Sequence, residues 1–470
     1  MNKTIHQQMF QQMQSKQLFE QAKQYAYEYA DDALERNVYP SSQALNNLQQ
    51  LHEPLPLTTT SPAAIIEQLH HIGSPATVSQ IAGRYFGLVN GGVIPVSLAA
   101  KWLSDFWDQN TPLYATSPIN STLESVTESW LNTLLGLPKS TVAGFVSGSS
   151  MAIMCGLSAA RYRLFQNHNW DINTQGFQGA PRIRLIAGKQ AHGTVVKAAS
   201  LLGFGSDNIE WVDVDDQGRI LIEQIPPLDS HCLLVLQAGN VNSGAFDDFS
   251  HICKAANEAG AWVHIDGAFG LWAAACQSLK HLTKGIEYAH SFSVDGHKTL
   301  NTPYDSGIIL CTDKDALINA LQANGSYIVY GEQRDGMLYT PEMSRRARVI
   351  ELWSAIKYLG AQGIDDLVVA LHHRAVQFAD ELKRAGFIIL NNVVFNQVLV
   401  TIAEPIPTQD KPHILQQITQ HIQQSGECWV GTSTWQNQPV IRISVCSWAT
   451  TEEDITRSVS AFKDARAAVI

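Results

Sequence analysis

The sequence predicts an α/β protein in which a mostly parallel sheet carries helices on both faces and a smaller α+β domain follows. From about Ser79 onward, short apolar runs alternate with stretches of helical periodicity, which is the pattern of strand-helix-strand units. After Arg346 the pattern changes to one long helical stretch followed by separated strand candidates. A chain of 470 residues, 45% of them hydrophobic, is long enough for two such units.

Six apolar runs are the strand candidates of the larger unit. Helical stretches at residues 192–202 and 248–259 separate some of them. In an open sheet of this kind, ligands bind beyond the carboxyl ends of the strands, so residues that follow these runs are the first candidates for a site. The runs are residues 182–187, 209–214, 232–237, 262–266, 291–295 and 307–311.

The first 78 residues are predicted to form a helical arm. Apolar positions recur at helical spacing between Phe19 and Tyr29, and the pattern ends at Tyr39-Pro40. An arm that cannot bury its apolar face alone often packs on a partner subunit, which favours an oligomer. The predicted units are the arm at 1–78, a large domain at 79–335 and a small C-terminal α+β domain at 336–470, with a helix at about 345–385 and strands at 386–390, 395–402 and 439–446.

The composition of the chain indicates which kinds of binding partner to expect. The net charge of -11 argues against nucleic acid or an anionic membrane surface, so a small-molecule substrate is expected. The chain shows neither the apolar core of a signal peptide nor a run that could span a bilayer, and we expect a cytoplasmic protein. Its seven cysteines are scattered without a CxxC pair, which indicates reduced thiols and no metal site.

The most informative motif is Ser-Val-Asp-Gly-His-Lys at residues 293–298. It places Lys298 just after a histidine and beyond an apolar strand, while Asp266 ends the preceding strand candidate. An enzyme that uses pyridoxal 5'-phosphate needs a lysine amine for the Schiff base and an anion that keeps the pyridine nitrogen protonated. Lys298 and Asp266 are the candidates for these two roles.

Three further motifs suit the same cofactor. The Gly/Ser turn ending in Ser149 and Ser150 precedes a helical run, and the N–H groups of a helix start bind phosphate. His192 opens another helix after a strand, where an imidazole can stack on the pyridine ring and pass protons. Asn240, in the loop after strand 232–237, can hydrogen-bond the phenolic oxygen, although a loop built only for turning has the same composition.

In this order the motifs resemble those of the group II pyridoxal phosphate-dependent amino acid decarboxylases. The chain is similar to the aromatic-L-amino-acid and glutamate decarboxylases over about residues 80–465. The resemblance implies the aspartate aminotransferase type of fold (PLP fold type I) with a seven-stranded sheet, and a homodimer with active sites at the interface. It also implies decarboxylation of an L-amino acid to the amine and CO2. The matching motifs are SGSS, AHG, QAGNVNSGAFDD, HIDGAFG, SVDGHK, PEMSRRAR and IRISVCSWATTEED.

The resemblance also implies a role for individual residues. Two positions depart from the family's pattern: Asn240 stands where threonine is frequent, and Thr299 where an aromatic residue commonly follows the lysine. In the family a tyrosine of a mobile loop protonates the carbanion, and within residues 327–339 both Tyr330 and Tyr339 are candidates for it. The carried-over roles are Lys298 as the Schiff base lysine, Asp266 as the pyridinium partner, His192 as the stacking base, Ala268 as the small residue under the ring, and Ser149, Ser150 and His297 as phosphate-side contacts.

The substrate pocket is less specified. Arg345, Arg346 and Arg442 are candidates for binding substrate or cofactor anions, because a guanidinium forks onto carboxylate or phosphate. Tyr85, Phe86 and Asn90 lie in a segment that resembles the one lining the family's substrate mouth, although core packing is the commoner use of an aromatic pair. Aromatic, acidic and diamino substrates all remain open.

Three alternatives to decarboxylation are retained. Aminotransferases of this fold hold the substrate carboxylate from an arginine placed like Arg442, and other carbon–carbon lyases of the fold would use the same residues. A desulfurase would need an activated, exposed cysteine, which Cys446 in its apolar run does not suggest. A noncatalytic homologue that only binds the cofactor is the alternative of another class, and the intact lysine, aspartate and histidine set argues against it.

Overall fold

The structure is a computed structural model that describes residues 4–323, 330–403, 406–407 and 409–470. Its largest element is a seven-stranded sheet. Alternate residues of its strands enter two separate apolar clusters, one on each face, so both faces are buried. The strands are β1 (Val142–Val146), β2 (Arg184–Gly188), β3 (Ile209–Val212), β4 (Cys232–Gln237), β5 (Trp262–Asp266), β6 (Ser291–Asp295) and β7 (Gly307–Cys311).

The strand order across this sheet is β1-β7-β6-β5-β4-β2-β3. Only β7 runs antiparallel to its neighbours, β1 and β6, and the remaining pairs are parallel. The six predicted runs correspond to β2 through β7, and β1 is the short apolar segment before the Gly/Ser turn. The predicted mostly parallel, seven-stranded sheet is therefore confirmed.

Helices cover both faces of the sheet and extend beyond it. The longest, Val349–Arg384, contains a break at Gly360, whose φ of 60° and ψ of -176° are open to glycine because it has no Cβ. The helices are α1 (Ile5–Ser15), α2 (Gln17–Asp32), α3 (Ser42–Asn47), α4 (Pro62–Gln68), α5 (Pro95–Trp107), α6 (Pro118–Leu134), α7 (Ser149–Asn167), α8 (Ile172–Gln175), α9 (Gly193–Leu201), α10 (Phe249–Glu258), α11 (Lys314–Leu321), α12 (Val349–Arg384), α13 (Lys411–Ser425) and α14 (Glu452–Val469).

Short turns of other helix types complete the connections. The segment Leu69–Gly73 is π-helical, and no helix in the described ranges is both long and apolar enough to cross a membrane. The 3₁₀ segments are Leu48–Leu51, Ser74–Ala76, Ser206–Asn208, Ile222–Gln224, Gly270–Ala275, Lys280–Thr283, Ile286–Tyr288 and Gly336–Leu338.

Helix α7 packs closely on the middle of the sheet. A Cβ built on Gly156 would lie 2.6 Å from the ring of His264 in β5, so no larger residue fits between helix and strand without a shift. His264 is fully buried, and burial lowers the pKa of its imidazole to about 3. This close approach fixes the start of α7 relative to the carboxyl end of β5.

A second, antiparallel sheet follows in the C-terminal part of the chain. It covers the three predicted strand runs and adds β10, whose sequence Gly-Thr-Ser-Thr-Trp carries no apolar run because the strand lies at an exposed edge. The strands are β8 (Phe387–Ile389), β9 (Gln397–Ile402), β10 (Gly431–Trp435) and β11 (Gln438–Ser444), in the order β10-β11-β9-β8.

The segment around Phe86 packs on this second sheet. The Phe86 N–H donates to the Trp429 carbonyl at 2.8 Å, and the Ser444 N–H donates to the Phe86 carbonyl at 3.0 Å. Residues just after position 79, which the sequence places with the large domain, thus contact the small sheet. The domain boundaries after residues 78 and 335 stay predictions.

The N-terminal helices lie where the helical arm was predicted. The Phe19 ring of α2 meets Phe106 of α5 edge to face at 4.9 Å, and Tyr25 stacks on His70 at 3.9 Å between centroids. Of the apolar positions recognised in the sequence, Phe19 therefore packs the arm on α5, and Tyr25 packs within the arm.

Arg84 ties the arm to the C-terminal part of the chain. Its side chain is 1% exposed, and it donates to the carbonyls of residues 34–36 and of Glu427 and to the Asp454 carboxylate at 3.2 Å. A guanidinium with five donors suits this convergence of acceptors.

We expect Arg84→Met to lower the free energy of unfolding by about 3 kcal/mol, because Oδ1 of the Asp454 carboxylate and several carbonyls lose their buried cationic donor. Thermal and urea unfolding would measure the loss. The matched control is Arg457→Met, since Arg457 also pairs with Glu427 but is 35% exposed, and its loss should stay below about 1 kcal/mol. Equal losses in the two variants would contradict this role for Arg84.

Candidate active site

The carboxyl ends of β5 and β6 bring the predicted lysine and aspartate to one edge of the sheet. β5 ends at Asp266, which pairs in register with Ser293 of β6, and the turn after β6 carries Lys298. The Lys298 side chain is 20% exposed, and its Nζ lies 3.2 Å from Oδ2 of Asp295. The amine is thus partly open to solvent and has a carboxylate beside it.

Asp266 is a buried carboxylate with fixed geometry. Its Oδ1 accepts hydrogen bonds from the Ala268 N–H at 3.2 Å and from the Ser293 hydroxyl at 3.3 Å. The Ala268 carbonyl in turn accepts from the Asp295 N–H at 2.9 Å. These bonds orient the Asp266 carboxylate and fix the loop that holds Ala268.

His192 precedes α9 and acts as its N-cap. Its Nδ1 accepts from the Thr194 N–H at 3.3 Å and lies 2.7 Å from the Thr194 hydroxyl, which leaves Nε2 for other contacts. Desolvation by the surrounding protein lowers the pKa of His192; Lys298 and Arg442 lower it further, while Asp266 and Asp295 oppose them. The charges that act on this ring place it in the same site as the lysine and both aspartates.

The start of α7 lies against His297. A Cβ built on Gly148 would lie 3.4 Å from Cε1 of His297 and 3.9 Å from Oδ1 of Asp295. Gly148 provides no side-chain cap, and within the described ranges the Ser149 and Ser150 hydroxyls have no hydrogen-bond partner. Free N–H groups and hydroxyls at a helix start are the donors that a phosphate group requires.

His297 is held by its own turn. Its Nδ1 accepts from the Ser306 N–H at 3.1 Å, so its Nε2 faces Oδ2 of Asp295 at 3.5 Å. Burial lowers the pKa of His297, and Asp295 acts in the opposite direction. The ring of Tyr304 stacks on it at 4.3 Å, and the Tyr304 hydroxyl donates to Asn90 at 2.9 Å.

Sequence reasoning missed two of these residues, Asp295 and Tyr304. Asp295 stands inside the motif that revealed Lys298, three positions before it, a spacing that could have signalled an ion pair. Tyr304 carries no comparable signal, because its position over His297 depends on the turn that follows Lys298.

The comparisons with known proteins agree on one family. The model of the pyridoxal-dependent decarboxylase conserved domain matches residues 46–402, more than half of the chain. The chain belongs to the pyridoxal-dependent decarboxylase family. It is 27% identical over 330 residues to acidic amino acid decarboxylase GADL1 of Mus musculus, covering 67% of this chain and 59% of that protein, and 27% identical over 324 residues to its Homo sapiens counterpart, covering 65% and 61%.

The match spans about three fifths of the length of these curated relatives. Solved structures support the fold: mouse CSAD has a TM-score of 0.88 at 21% identity over 96% of this chain and 98% of that one. Tryptophan decarboxylase of Catharanthus roseus has a TM-score of 0.84 at 17% identity over 99% and 100%. The predicted family, fold type and pyridoxal phosphate dependence are confirmed.

The residues present fit this family's cofactor. The start of α7 suits the phosphate, the hydrogen-bonded Asp266 carboxylate suits the pyridine nitrogen, and the partly exposed Lys298 amine suits the aldehyde. The roles of these residues nevertheless remain proposals.

The Asn240 side chain forms most of its hydrogen bonds within its own loop. It is buried, its Oδ1 accepts from the N–H groups of Asn242 and Ser243 at 2.9 and 3.2 Å, and its Nδ2 donates to the Gln190 carbonyl at 3.2 Å. The side chain therefore joins this loop to the segment that leads into His192. Only its second amide hydrogen is left for the predicted contact with the phenolic oxygen.

Neither tyrosine candidate for proton delivery contacts this site within the described residues. Tyr339 is buried beneath the Arg334 guanidinium, which lies 4.1 Å from its ring centroid. The Tyr330 hydroxyl donates to the Ala323 carbonyl at 2.6 Å. Residues 324–329, which include the start of the segment in which the family's tyrosine is expected, lie outside the described residues.

The three arginine candidates are in different environments. Arg345 is 1% exposed and pairs with Glu124 at 2.7 Å, so its charge is not free for a substrate, contrary to the sequence expectation. Arg346 pairs with Asp305 and Glu351. Arg442 contacts no carboxylate in the described part of the chain and donates to the Val241 carbonyl at 3.2 Å, and burial lowers its pKa.

The three residues predicted to line the substrate mouth also lie in different environments. Phe86 is fully buried and meets Phe378 edge to face at 5.0 Å, so it is a core residue, contrary to the sequence expectation. Tyr85 stacks on Trp429 at 5.3 Å; burial raises the pKa of Tyr85, and the nearby Arg442 charge opposes this. Asn90, through Tyr304, reaches the His297 side of the site.

We expect His192 in the cofactor-free protein to titrate below its ordinary pKa of about 6.5, because desolvation favours the neutral imidazole. Lys298→Met removes a cation and should raise this pKa, whereas Asp266→Asn removes an anion and should lower it. NMR titration of labelled histidines, assigned with His192→Gln, measures both shifts. Shifts of the same sign in the two variants would contradict the described arrangement of charges.

Proposed function

We propose that this protein decarboxylates an L-amino acid to the amine and CO2, with the cofactor attached through Lys298. The observation that carries the proposal is the convergence of Lys298, Asp266 and His192 with the start of α7 at one edge of the sheet. When bound, pyridoxal phosphate supplies a protonated ring that takes up the electrons of the broken bond.

Asp266 would hold the proton on the pyridine nitrogen. Two hydrogen bonds orient its carboxylate and stabilise its charge, so it needs no rearrangement as charge develops nearby. His192, with Nδ1 occupied by Thr194, would lie on the ring and hold or move a proton at Nε2. Ser149, Ser150 and His297 would hold the phosphate.

Arg442 supports an acidic substrate. It is a partly buried cation without a carboxylate partner in the described residues, and its charge acts on His192. An arginine that binds the α-carboxylate would oppose its departure, whereas binding a side-chain carboxylate leaves the α-carboxylate free to leave. The matched relatives of Mus musculus and Homo sapiens are named acidic amino acid decarboxylases, which supports the second arrangement for this chain.

Transamination is the second candidate, because Arg442 could hold the α-carboxylate itself. A desulfurase is disfavoured: Cys446 is fully buried, and burial raises the pKa of its thiol to about 12. A noncatalytic homologue would not need the lysine, aspartate and histidine set to be intact.

We also propose a cytoplasmic homodimer with active sites at the interface. Helix α5 supports the dimer, because it exposes four large apolar side chains: Trp102, Leu103, Phe106 and Trp107. Apolar surface of this kind on adjacent turns is typical of a subunit interface.

The deciding experiment incubates the purified, cofactor-loaded protein with acidic, aromatic and basic L-amino acids and identifies products by mass spectrometry. We expect an amine and CO2 from an acidic amino acid. A keto acid without CO2 would establish transamination instead, and a product only from aromatic or basic substrates would refute the acidic substrate. Lys298→Ala should lose both product and bound-cofactor absorption, with Lys284→Ala as the matched control.

A second prediction concerns Arg442. We expect Arg442→Gln to raise KM for the acidic substrate about 10- to 100-fold, because one charged hydrogen-bonded contact is lost, while the product remains the amine. Steady-state kinetics measure the change, with the surface variant Arg457→Gln as control. An unchanged KM would show that Arg442 does not bind the substrate.

A further inference from the structure

The site contains a second carboxylate that the proposed function does not use. Asp295 is the last residue of β6 and its side chain is 1% exposed. Neither of its oxygens accepts a hydrogen bond within the described ranges. An ionised carboxylate is costly to bury without such bonds, so its neighbouring cations must stabilise it.

Two cationic or ionisable groups face this carboxylate. Nζ of Lys298 lies 3.2 Å from Oδ2, and Nε2 of His297 lies 3.5 Å from the same oxygen. The start of α7, with its partial positive charge, is also adjacent, since a Cβ on Gly148 would lie 3.9 Å from Oδ1. The Lys298 amine, at 3.2 Å, is the nearest of the three.

The backbone holds Asp295 in place. Its N–H donates to the Ala268 carbonyl at 2.9 Å, and its carbonyl accepts from the Trp272 indole at 3.0 Å. The next N–H, that of Gly296, donates to the Ser306 carbonyl at 2.8 Å. The carboxylate is therefore presented from a fixed position.

We propose that Asp295 is the counter-ion of Lys298, a positioning residue that holds the lysine amine charged and in place whenever the amine is not bonded to the cofactor. The proposal rests on the proposed function, because it assumes that Lys298 is the attachment residue. Asp266 does not serve this purpose, since within the described residues its carboxylate accepts from Ala268 and Ser293 and forms no ion pair with Lys298.

The proposal has a consequence for chemistry at Lys298. An ammonium group paired with a carboxylate has no lone pair with which to attack an aldehyde, so the ion pair with Asp295 must open before the amine reacts. Asp295 therefore keeps Nζ where the aldehyde must arrive and slows attachment until the pair opens. Removing the carboxylate charge should speed attachment at Lys298.

The test measures attachment at Lys298 directly and not turnover. The full-length chain, freed of cofactor, is mixed with pyridoxal 5'-phosphate at one fixed pH and quenched at early times with borohydride, and the peptide containing residue 298 is quantified by mass spectrometry. Asp295→Asn, which keeps the side-chain shape, is compared with the wild-type chain and with Asp266→Asn. We expect Asp295→Asn to raise the initial labelling rate about fivefold or more, because the ion pair no longer has to open, and Asp266→Asn to change it clearly less.

An unchanged labelling rate in Asp295→Asn would overturn the proposal, as would an equal increase in Asp266→Asn. Labelling of another lysine in place of Lys298 in the wild-type chain would instead refute the proposed function, so the two failures are distinguishable.

Thermal unfolding of the cofactor-free chain gives a second, independent test. Lys298→Met should lower the melting temperature because it leaves Asp295 buried without its cation, and adding Asp295→Asn should restore part of the loss. Additive losses in the double variant would contradict the ion pair. Circular dichroism spectra would confirm that each variant is folded.

Discussion

The register between β5 and β6 is the constraint on which the site depends. Asp266 pairs with Ser293, whose hydroxyl donates to the Asp266 carboxylate, and the Asp295 N–H closes the edge by donating to Ala268. Successive side chains of a strand point to opposite faces, so a slip of one residue would reverse which face each carboxylate occupies. Both acids, the Lys298 turn and the Ala268 loop are thus located by one strand pairing.

The arginines discussed for the site fall into two groups: those paired with a carboxylate of the chain and one that has no such partner in the described residues. Arg334 and Arg345 share the buried Glu124, and these ion pairs join α6 to the segment before α12. Removing one partner would leave a buried charge, so their effect is structural. Arg442 lacks such an acid in the described residues. Arg442 is therefore the candidate for ligand binding, because no carboxylate in the described residues balances its charge. Arg334 and Arg345, whose charges are balanced by Glu124, stabilise the fold.

The sequence predicted the sheet because each of its strands is a short apolar run that needs both faces covered, and it missed β10 because an edge strand can be polar. Lys298 and Asp266 were predictable because they follow such runs. The sequence could not show that Arg345 and Phe86 are structural residues and not substrate contacts. Their partners, Glu124 for Arg345 and Phe378 for Phe86, lie far away along the chain. Roles that depend on distant partners require the three-dimensional structure.

The two carboxylates of the site differ in what stabilises their charge. Asp266 accepts hydrogen bonds from an N–H and a hydroxyl, which orient it without help from a cation. Asp295 has no such bonds in the described part of the chain, and it depends on the cation at Lys298. When the Lys298 nitrogen carries no charge, the remaining ionisable group within ion-pair distance is His297, at 3.5 Å. Because Asp295 raises the pKa of His297 against the effect of burial, the charge state of the lysine is coupled to that of the histidine beside the α7 start. Lys298 and the histidine beside the start of α7 therefore share one buried carboxylate.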